Sequence, residues 1–232
     1  MLDERLSLVA SMYEPCQWGA DIGTDHAYLP RYLLKAGICR HMIAADVSSG
    51  ALANARATLT RARLLDRAVL TLANGLDAID RPCGCASITG MGGDTMAEIL
   101  TRGADRLQGA VLVLSAHTEL PLVRQAVREI GYHIVREELC RAAGRFYVCW
   151  RGEVGAAEMT EDELLYGRKL WQGEDPRLKE YAAWRIRVTQ KRLDGLRSAA
   201  LPDAAAIEAA EREITFYRTK RRCDHADRTA SI

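Results

Sequence analysis

The sequence predicts a doubly wound α/β domain followed by a helical hairpin. Short apolar runs alternate with helical patterns through the first 150 residues, joined by short loops. Strict alternation of that kind builds a parallel sheet covered by helices. After Arg151 the strand-like runs stop, and apolar residues recur every three or four positions. The composition agrees: 48% hydrophobic, 27% charged and 6% aromatic over 232 residues. It excludes collagen-like, disordered and small disulfide-stapled chains.

Each element has its own signal. Leu2, Leu6, Val9 and Tyr13 stand near helical spacing in an opening helix. Trp18 to Ile22 reads as a strand running into Gly23-Thr24. A helix is expected over Tyr28 to Ala36, with Pro30 in its first turn and Gly37 closing it. His41 to Asp46 is the second strand, followed by a helix from about Gly50 to Leu65. Ala68 to Leu72 is the third strand, ending at Asn74-Gly75. Ala86 to Thr89 is the fourth, followed by Gly90-Met91-Gly92-Gly93 and a short helix to Leu100. Ala110 to Ser115 is the clearest buried-strand run. A helix over Pro121 to Ile130 stops at Gly131. Tyr132 to Glu137 and Phe146 to Trp150 then follow with only the turn signal Ala143-Gly144 between them. Two strands without an intervening helix imply an antiparallel pair at one edge.

Residues 1–151 therefore form the sheet domain, 152–157 a linker and 158–232 a helical extension. In the extension Leu178, Ala182, Ile186, Thr189, Leu193, Leu196 and Ala200 make one stripe. Leu201-Pro202-Asp203 breaks it, and Ile207, Ala210, Ile214 and Tyr217 make a second. Two narrow stripes joined by a turn predict an antiparallel coiled coil packed mainly on itself. Fraying is expected for the polar last ten residues.

The charge balance, 32 basic against 31 acidic residues for a net +1, exerts no global pull on nucleic acid. The seven cysteines contain no CxxC pair and read as reduced thiols, with no zinc site and no metal expected. No apolar run approaches the roughly 18 to 20 residues that cross a bilayer. Met1-Leu2-Asp3-Glu4-Arg5 lacks the basic start of a secretion signal. The expectation is a cytoplasmic protein.

In doubly wound sheets, ligands bind beyond the carboxyl ends of the strands. The first such end reads Asp21-Ile22-Gly23-Thr24-Asp25-His26-Ala27. A dinucleotide fingerprint would need glycines at 23, 25 and 28 to cradle a pyrophosphate. Only Gly23 is present, and two carboxylates on the turn repel phosphate. They suit a cationic ligand without phosphate, such as S-adenosylmethionine, and argue against NAD. Asp46 closes the second strand about where a ribose-binding acid sits. Alone it is equally well a solvated strand-end acid, but with Asp21 and Gly23 at this offset the binding role is favoured. Asn74-Gly75 could meet an adenine ring, although the pair is also a common turn. The glycines of Gly90-Met91-Gly92-Gly93 permit close backbone approach to a planar group, or simply make a tight turn. The polar-Pro-Pro-aromatic motif of common aminomethyltransferases is absent here.

Together, Asp21-Ile22-Gly23-Thr24-Asp25-His26-Ala27-Tyr28-Leu29-Pro30, Gly75-Leu76 and Gly90 to Gly93 resemble the bacterial tRNA adenine-N1-methyltransferases that modify adenine 22. The resemblance covers the whole sheet domain in order and extends into the helical extension. It implies a Rossmann-like domain that binds S-adenosylmethionine, a C-terminal coiled coil that helps grip tRNA, and a catalytic aspartate, Asp25. The sequence departs from the family at Asn74, where an Asp often stands, and at Ser115-Ala116-His117, where some members carry Gln-Pro-Asn.

The expected cofactor-binding residues are Asp21, Gly23, Thr24, Asp46, Val47, Asn74, Gly75 and Gly90. On the substrate side stand His26, Met91, Gly92 and Gly93. Arg185, Lys191, Arg192, Arg218, Lys220, Arg221 and Arg222 are candidate phosphate contacts. A charge run is usually only a solvated face, but Lys220-Arg221-Arg222 beside Arg218 is dense enough to favour RNA. Two rival readings fit the same elements. One is a small-molecule or protein methyltransferase with a dimerising hairpin. The other is a non-catalytic RNA-binding module.

Overall fold

The computed structural model describes residues 1–116, 118–167, 169–172, 175–199 and 201–222. The chain divides into two compact units, Met1–Leu170 and Trp171–Ile232.

The first unit is built on a seven-stranded sheet. Its strands are β1 (Cys16–Ile22), β2 (Cys39–Asp46), β3 (Ala68–Leu72), β4 (Cys85–Met91), β5 (Val111–Ala116), β6 (Tyr132–Ala142) and β7 (Arg145–Val154). They lie in the order β3-β2-β1-β4-β5-β7-β6. The first five are parallel, and β7 runs antiparallel to both β5 and β6. The order reverses beside β1, because the chain leaves β3 at one edge and returns at β4. That is the switch point where a doubly wound sheet opens a crevice. The crossovers carry α2 (Tyr28–Lys35), α3 (Ser49–Arg61), α4 (Gly93–Leu107) and α5 (Leu120–Glu129), with α1 (Glu4–Ser11) ahead of the sheet. Leu29, Leu33 and Leu34 bury one face of α2 among Met42, Leu59 and Val9. This is the apolar stripe that the sequence spacing required.

Several elements run past their expected bounds for visible reasons. The β6–β7 hairpin is long, pairing Tyr132 with Val154 at one end and Ala142 with Arg145 at the other. Its two-residue turn, Ala143-Gly144, has positive φ at both positions (47° and 76°), matching the twist of antiparallel strands. Beyond Glu137, charged Glu138 and Arg141 interrupt the apolar pattern, and the predicted strand stops short of the outer half of β6. The expected linker is partly strand, since β7 takes Gly152 to Val154. Helix α4 continues beyond Leu100 to Leu107. There Gly103 lets Leu76 approach so closely that an added Cβ would stand 2.6 Å from it. Helix α3 ends at Arg61, and residues 65–67 form a short 3₁₀ turn.

A further helix, α6 (Glu161–Tyr166), begins with a reciprocal cap between Thr160 and Glu163. It belongs to the sheet unit because a buried carboxylate holds it there. Glu137 Oε1 accepts from Arg124 Nη2 (2.7 Å), Arg124 Nε (3.1 Å) and Trp150 Nε1 (2.7 Å), while Oε2 accepts from the Leu170 backbone (3.1 Å). Arg124 Nη1 donates to the carbonyls of Leu164 and Leu165. The unit therefore ends at Leu170, later than the expected 152–157 linker.

The second unit consists of α7 (Arg177–Arg197) and α8 (Ala204–Arg222). Leu193, Ala210 and Ile214 are buried between them, with Ile186 and Ile207 packed alongside. An aromatic cluster of Trp171, Tyr181, Trp184, Phe216 and Tyr217 widens the two predicted stripes. Ala200 and the polar tail 223–232 lie outside the described residues.

Both Arg124 and Glu137 are almost wholly buried, at 2% and 1% side-chain exposure. Removing one partner leaves an uncompensated charge. Glu137→Ala is expected to cost about 3 to 5 kcal/mol in urea unfolding, whereas the exposed Glu129→Ala should stay within about 0.5 kcal/mol. Equal midpoints for the two variants would show that this carboxylate is not the tie that holds α6.

Candidate active site

The crevice beside β1 is a cavity of about 300 Å³ lined by Asp21, Gly23, Thr24, Asp25, His26, Thr89 and Gly90, together with Asp3, Arg5 and Tyr147. Parallel pairing sets its floor, because β1 and β4 align Asp21 with Ser87. Asp21 is 4% exposed, and its Oδ1 accepts from the Ser87 hydroxyl at 2.7 Å. The Tyr13 hydroxyl donates in turn to Ser87 Oγ at 2.7 Å. Burial pushes the Asp21 carboxyl up to about 6, against the Ser87 hydrogen bond, which favours the ionised form. Burial also drives the Tyr13 hydroxyl well above its ordinary value. An acid poised in this way is stabilised by a cation entering the cavity.

The loop after β1 spends its own backbone donors. Gly23 N and Thr24 N both donate to the Ala45 carbonyl at 2.9 Å, and Asp25 N donates to Asp46 Oδ2 at 3.3 Å. Three successive amides that a pyrophosphate would need are thus engaged within the protein. Gly23 has φ +76°, and an added Cβ would stand 2.9 Å from Met91, so this position requires glycine. Asp25 and Ala27 adopt left-handed conformations as well (φ 45° and 53°), an arrangement that costs energy without a glycine. The Asp25 side chain is 67% exposed and lies 3.7 Å from His26 Nε2. The His26 ring stacks on Tyr28 with centroids 5.2 Å apart. Beyond it lies a second, open groove of about 420 Å³, shared by His26, Tyr28, Arg31, Asn54, Thr58 and Arg61.

Of the expected cofactor residues, the cavity gathers Asp21, Gly23, Thr24 and Gly90. Asp46 adjoins it through Asp25 and is held by Ser48 N at 2.9 Å. Val47 is exposed beside it. Asn74 and Gly75 stand at the end of β3, where the Asn74 carbonyl accepts from Arg102 and buried Gly75 packs on Ile99. On the substrate side, Gly90 opens an irregularity in the β4–β5 pairing before Met91. Gly92 caps α4. An added Cβ at Gly93 would press on the Thr118 carbonyl at 2.4 Å. His117 lies outside the described residues.

The basic residues of the helical unit separate into two groups. Arg185 is bound to Glu213 through Nε (3.1 Å) and Nη2 and packs over Trp184 and Tyr217. Arg192 reaches the same carboxylate at 2.9 Å. Glu213 is only 7% exposed, so these two guanidinium groups tie α7 to α8. The expected phosphate role of Arg185 gives way to that structural one, because a buried carboxylate demands a partner. Lys191, Arg218 and Arg221 are exposed, and Lys220 lies over the Phe216 ring at 5.4 Å. The side chain of Arg222 lies outside the described residues.

Sequence reasoning missed Arg5. It belongs to the opening helix, remote from every strand end, yet one of its nitrogens is buried at this cavity. Its only sequence signal was a basic residue on the apolar side of α1, next to Leu6.

Residues 2–149 match the family described as a methyltransferase domain. The chain belongs to that family. The methyltransferase is 28% identical over 165 residues, 70% of its length, to the tRNA (adenine(22)-N(1))-methyltransferase of Bacillus subtilis, of which 69% is covered. Among solved structures, a Streptococcus agalactiae protein of the NADB-Rossmann superfamily has 27% identity and a TM-score of 0.86, covering 95% of this chain and 97% of that one. A Streptococcus pneumoniae protein solved in complex with S-adenosyl-L-methionine has 27% identity and a TM-score of 0.77, covering 95% and 100%. Among the described residues of the methyltransferase, no helix is long and apolar enough to cross a membrane.

The raised acid has a thermodynamic consequence. A carboxyl with a folded-state pKa near 6 and an ordinary value of 3.8 contributes stability below 3.8, and that contribution is lost as pH rises through 6. Asp21 also feels Arg5 and Asp46, and both remain in an Asp21→Asn variant. Without ligand, the wild type should lose roughly 2 kcal/mol more than Asp21→Asn between pH 4 and 7. Parallel stability curves from urea titrations would remove burial as the cause.

Proposed function

We propose that the methyltransferase transfers a methyl group from S-adenosylmethionine to N1 of an adenine in tRNA, position 22 by its likeness to the Bacillus subtilis enzyme, and that it works in the cytoplasm. The observation that carries the reading is Asp25. It is a solvent-facing carboxylate on the cavity wall, next to the His26–Tyr28 stack that begins the basic groove.

The donor set fits the cofactor. Asp21 offers a buried acid to its α-ammonium, Asp46 offers lone pairs to the ribose hydroxyls, and Gly90 leaves room beside them. Val47, Asn74 and Gly75 are assigned to the adenosine end, and Thr24 to the loop that carries them. The engaged amides of Gly23, Thr24 and Asp25 disfavour a phosphate-bearing cofactor. S-adenosylmethionine supplies an electrophilic methyl group on a sulfonium centre.

Adenine N1 has its own lone pair, so no base is needed to make the nucleophile. As the new bond forms, positive charge spreads over the ring and its exocyclic amine. Asp25 stabilises that charge and accepts the amine proton. His26, Met91, Gly92 and Gly93 position the base, which must leave its stack because N1 lies on the pairing edge. Lys191, Arg218, Lys220, Arg221 and Arg222 supply phosphate contacts.

Asp25→Asn tests the charge cleanly, because asparagine tolerates the left-handed backbone and caps a helix equally well. Single-turnover methylation of tRNA should fall roughly a hundredfold or more, with S-adenosylhomocysteine affinity little changed. Near-normal turnover would reduce Asp25 to a loop residue.

Reversing Arg218, Lys220 and Arg221 together to Glu should weaken tRNA binding and flatten its logarithmic salt dependence by about 2. Cofactor binding should be unaffected. Unchanged tRNA affinity would leave the exposed face of α8 a solvated surface.

A further inference from the structure

The open groove between α2 and α3 carries positive charge that no neighbouring acid balances. Tyr28 and Arg31 stand one turn apart on α2, and Asn54, Thr58 and Arg61 follow helical spacing along α3. These two helix faces border about 420 Å³ of open space. Elsewhere in the sheet unit, Arg81, Arg102, Arg136 and Arg151 are all paired with acids. Among the described residues, neither Arg31 nor Arg61 has such a partner, and no acid lines the groove. Two cations on one groove repel each other, and an anion between them removes that cost.

Planar groups connect this groove to the candidate active site. The Arg31 guanidinium carbon lies 5.6 Å from the centre of the Tyr28 ring. The His26 ring stacks on the same tyrosine, the two planes only 10° apart. His26 and Tyr28 also line the cavity that contains Asp25. A column of planar groups therefore runs from the side of Asp25 into the basic groove.

The charges on the two sides select different ligands. Asp3, Asp21 and Asp25 line the cavity and turn a phosphate away, whereas the groove beside it offers guanidinium groups without competing acids. An open groove that continues from the cavity suits a polymer passing through it better than a small enclosed anion.

Resting on the RNA methylation reading above, we propose that the α2–α3 groove is an RNA-backbone site in the sheet unit, where Arg31 and Arg61 hold the phosphates on either side of the target adenine. A nucleotide that turns out of its stack rotates about its backbone. Anchored flanking phosphates keep the adenine turned out while it rests against His26 beside Asp25. Arg31 and Arg61 are then substrate-binding residues remote from the reacting atoms.

The experiment is a cycle between protein and RNA charges, read by tRNA binding to the full chain and by single-turnover methylation. Neutral methylphosphonate linkages on both sides of adenine 22 remove the two phosphate charges and leave every base intact. The wild type should bind this tRNA about 10-fold or more weakly than natural tRNA. The double variant Arg31→Gln, Arg61→Gln should lose a similar factor on natural tRNA and no longer distinguish the two RNAs. Its logarithmic salt dependence should be shallower by about 1 to 2, with S-adenosylhomocysteine affinity unchanged. Arg56 lies on α3 but lines a different groove, so Arg56→Gln should bind and discriminate as the wild type does. The wild-type comparison needs no variant to fold, and equal affinity for the two RNAs would overturn the proposal. A double variant that still discriminates fully would also overturn it, as would an equal loss in Arg56→Gln, which would reduce the effect to overall charge. A wild type that binds and discriminates but transfers no methyl group would refute the methylation reading and leave the groove an RNA site.

Discussion

The candidate site depends on one buried carboxylate, Asp21, at the point where the parallel sheet changes direction. The β1–β4 register sets it beside Ser87, and Tyr13 completes a chain of hydroxyl donors from the loop before β1. Those groups keep the acid hydrogen-bonded without neutralising it, so burial holds its carboxyl near 6. A site arranged in this way waits for a cation. The rest of the first unit serves that geometry: α1 closes one side, the loop after β1 closes the mouth, and Gly90 keeps a wall thin.

The loop after β1 is specified by what its backbone already binds. Ala45 and Asp46 on the neighbouring strand take the amides of Gly23, Thr24 and Asp25. This fixes the loop while Asp25 and Ala27 sit at positive φ. Local strain is tolerated because three hydrogen bonds outweigh it. The same bonds distinguish this turn from a pyrophosphate cradle, in which those amides would point at the ligand. A conformation enforced by backbone pairing is also one that the neutral asparagine side chain can share, which is why charge and shape can be separated at Asp25.

Outside the site, the two units use the same device. Glu137 is surrounded by Arg124, Trp150 and the Leu170 amide, and Glu213 by Arg185 and Arg192. Each is a buried acid that collects donors from segments far apart in sequence. Such pairs add little net stability relative to apolar packing, but losing one partner is expensive. They therefore act as specificity elements for where α6 and α8 lie.

The sequence by itself determined the order of strands and helices, the edge hairpin, the helical pair and the acids at the ends of β1 and β2. These follow from local rules: the pleat repeats every two residues, the helix every 3.6, and ligand sites lie at strand ends. Glycine at 23 was legible because a turn beside a site calls for positive φ. The tertiary structure alone decided which charges are partners and which remain free. Arg185 and Arg192 read in sequence like Arg218 and Arg221, and only the folded pair of helices shows that Glu213 claims the first two. Glu137 ends the strand that the sequence pattern predicts, and nothing local shows how its charge is met, because its partners lie 13 to 33 residues away. Arg5 looked like an ordinary helix residue until the fold enclosed its Nη1 in the cavity. Periodicity reports which face of an element is buried, but the fate of a buried charge depends on groups brought to it from elsewhere in the chain.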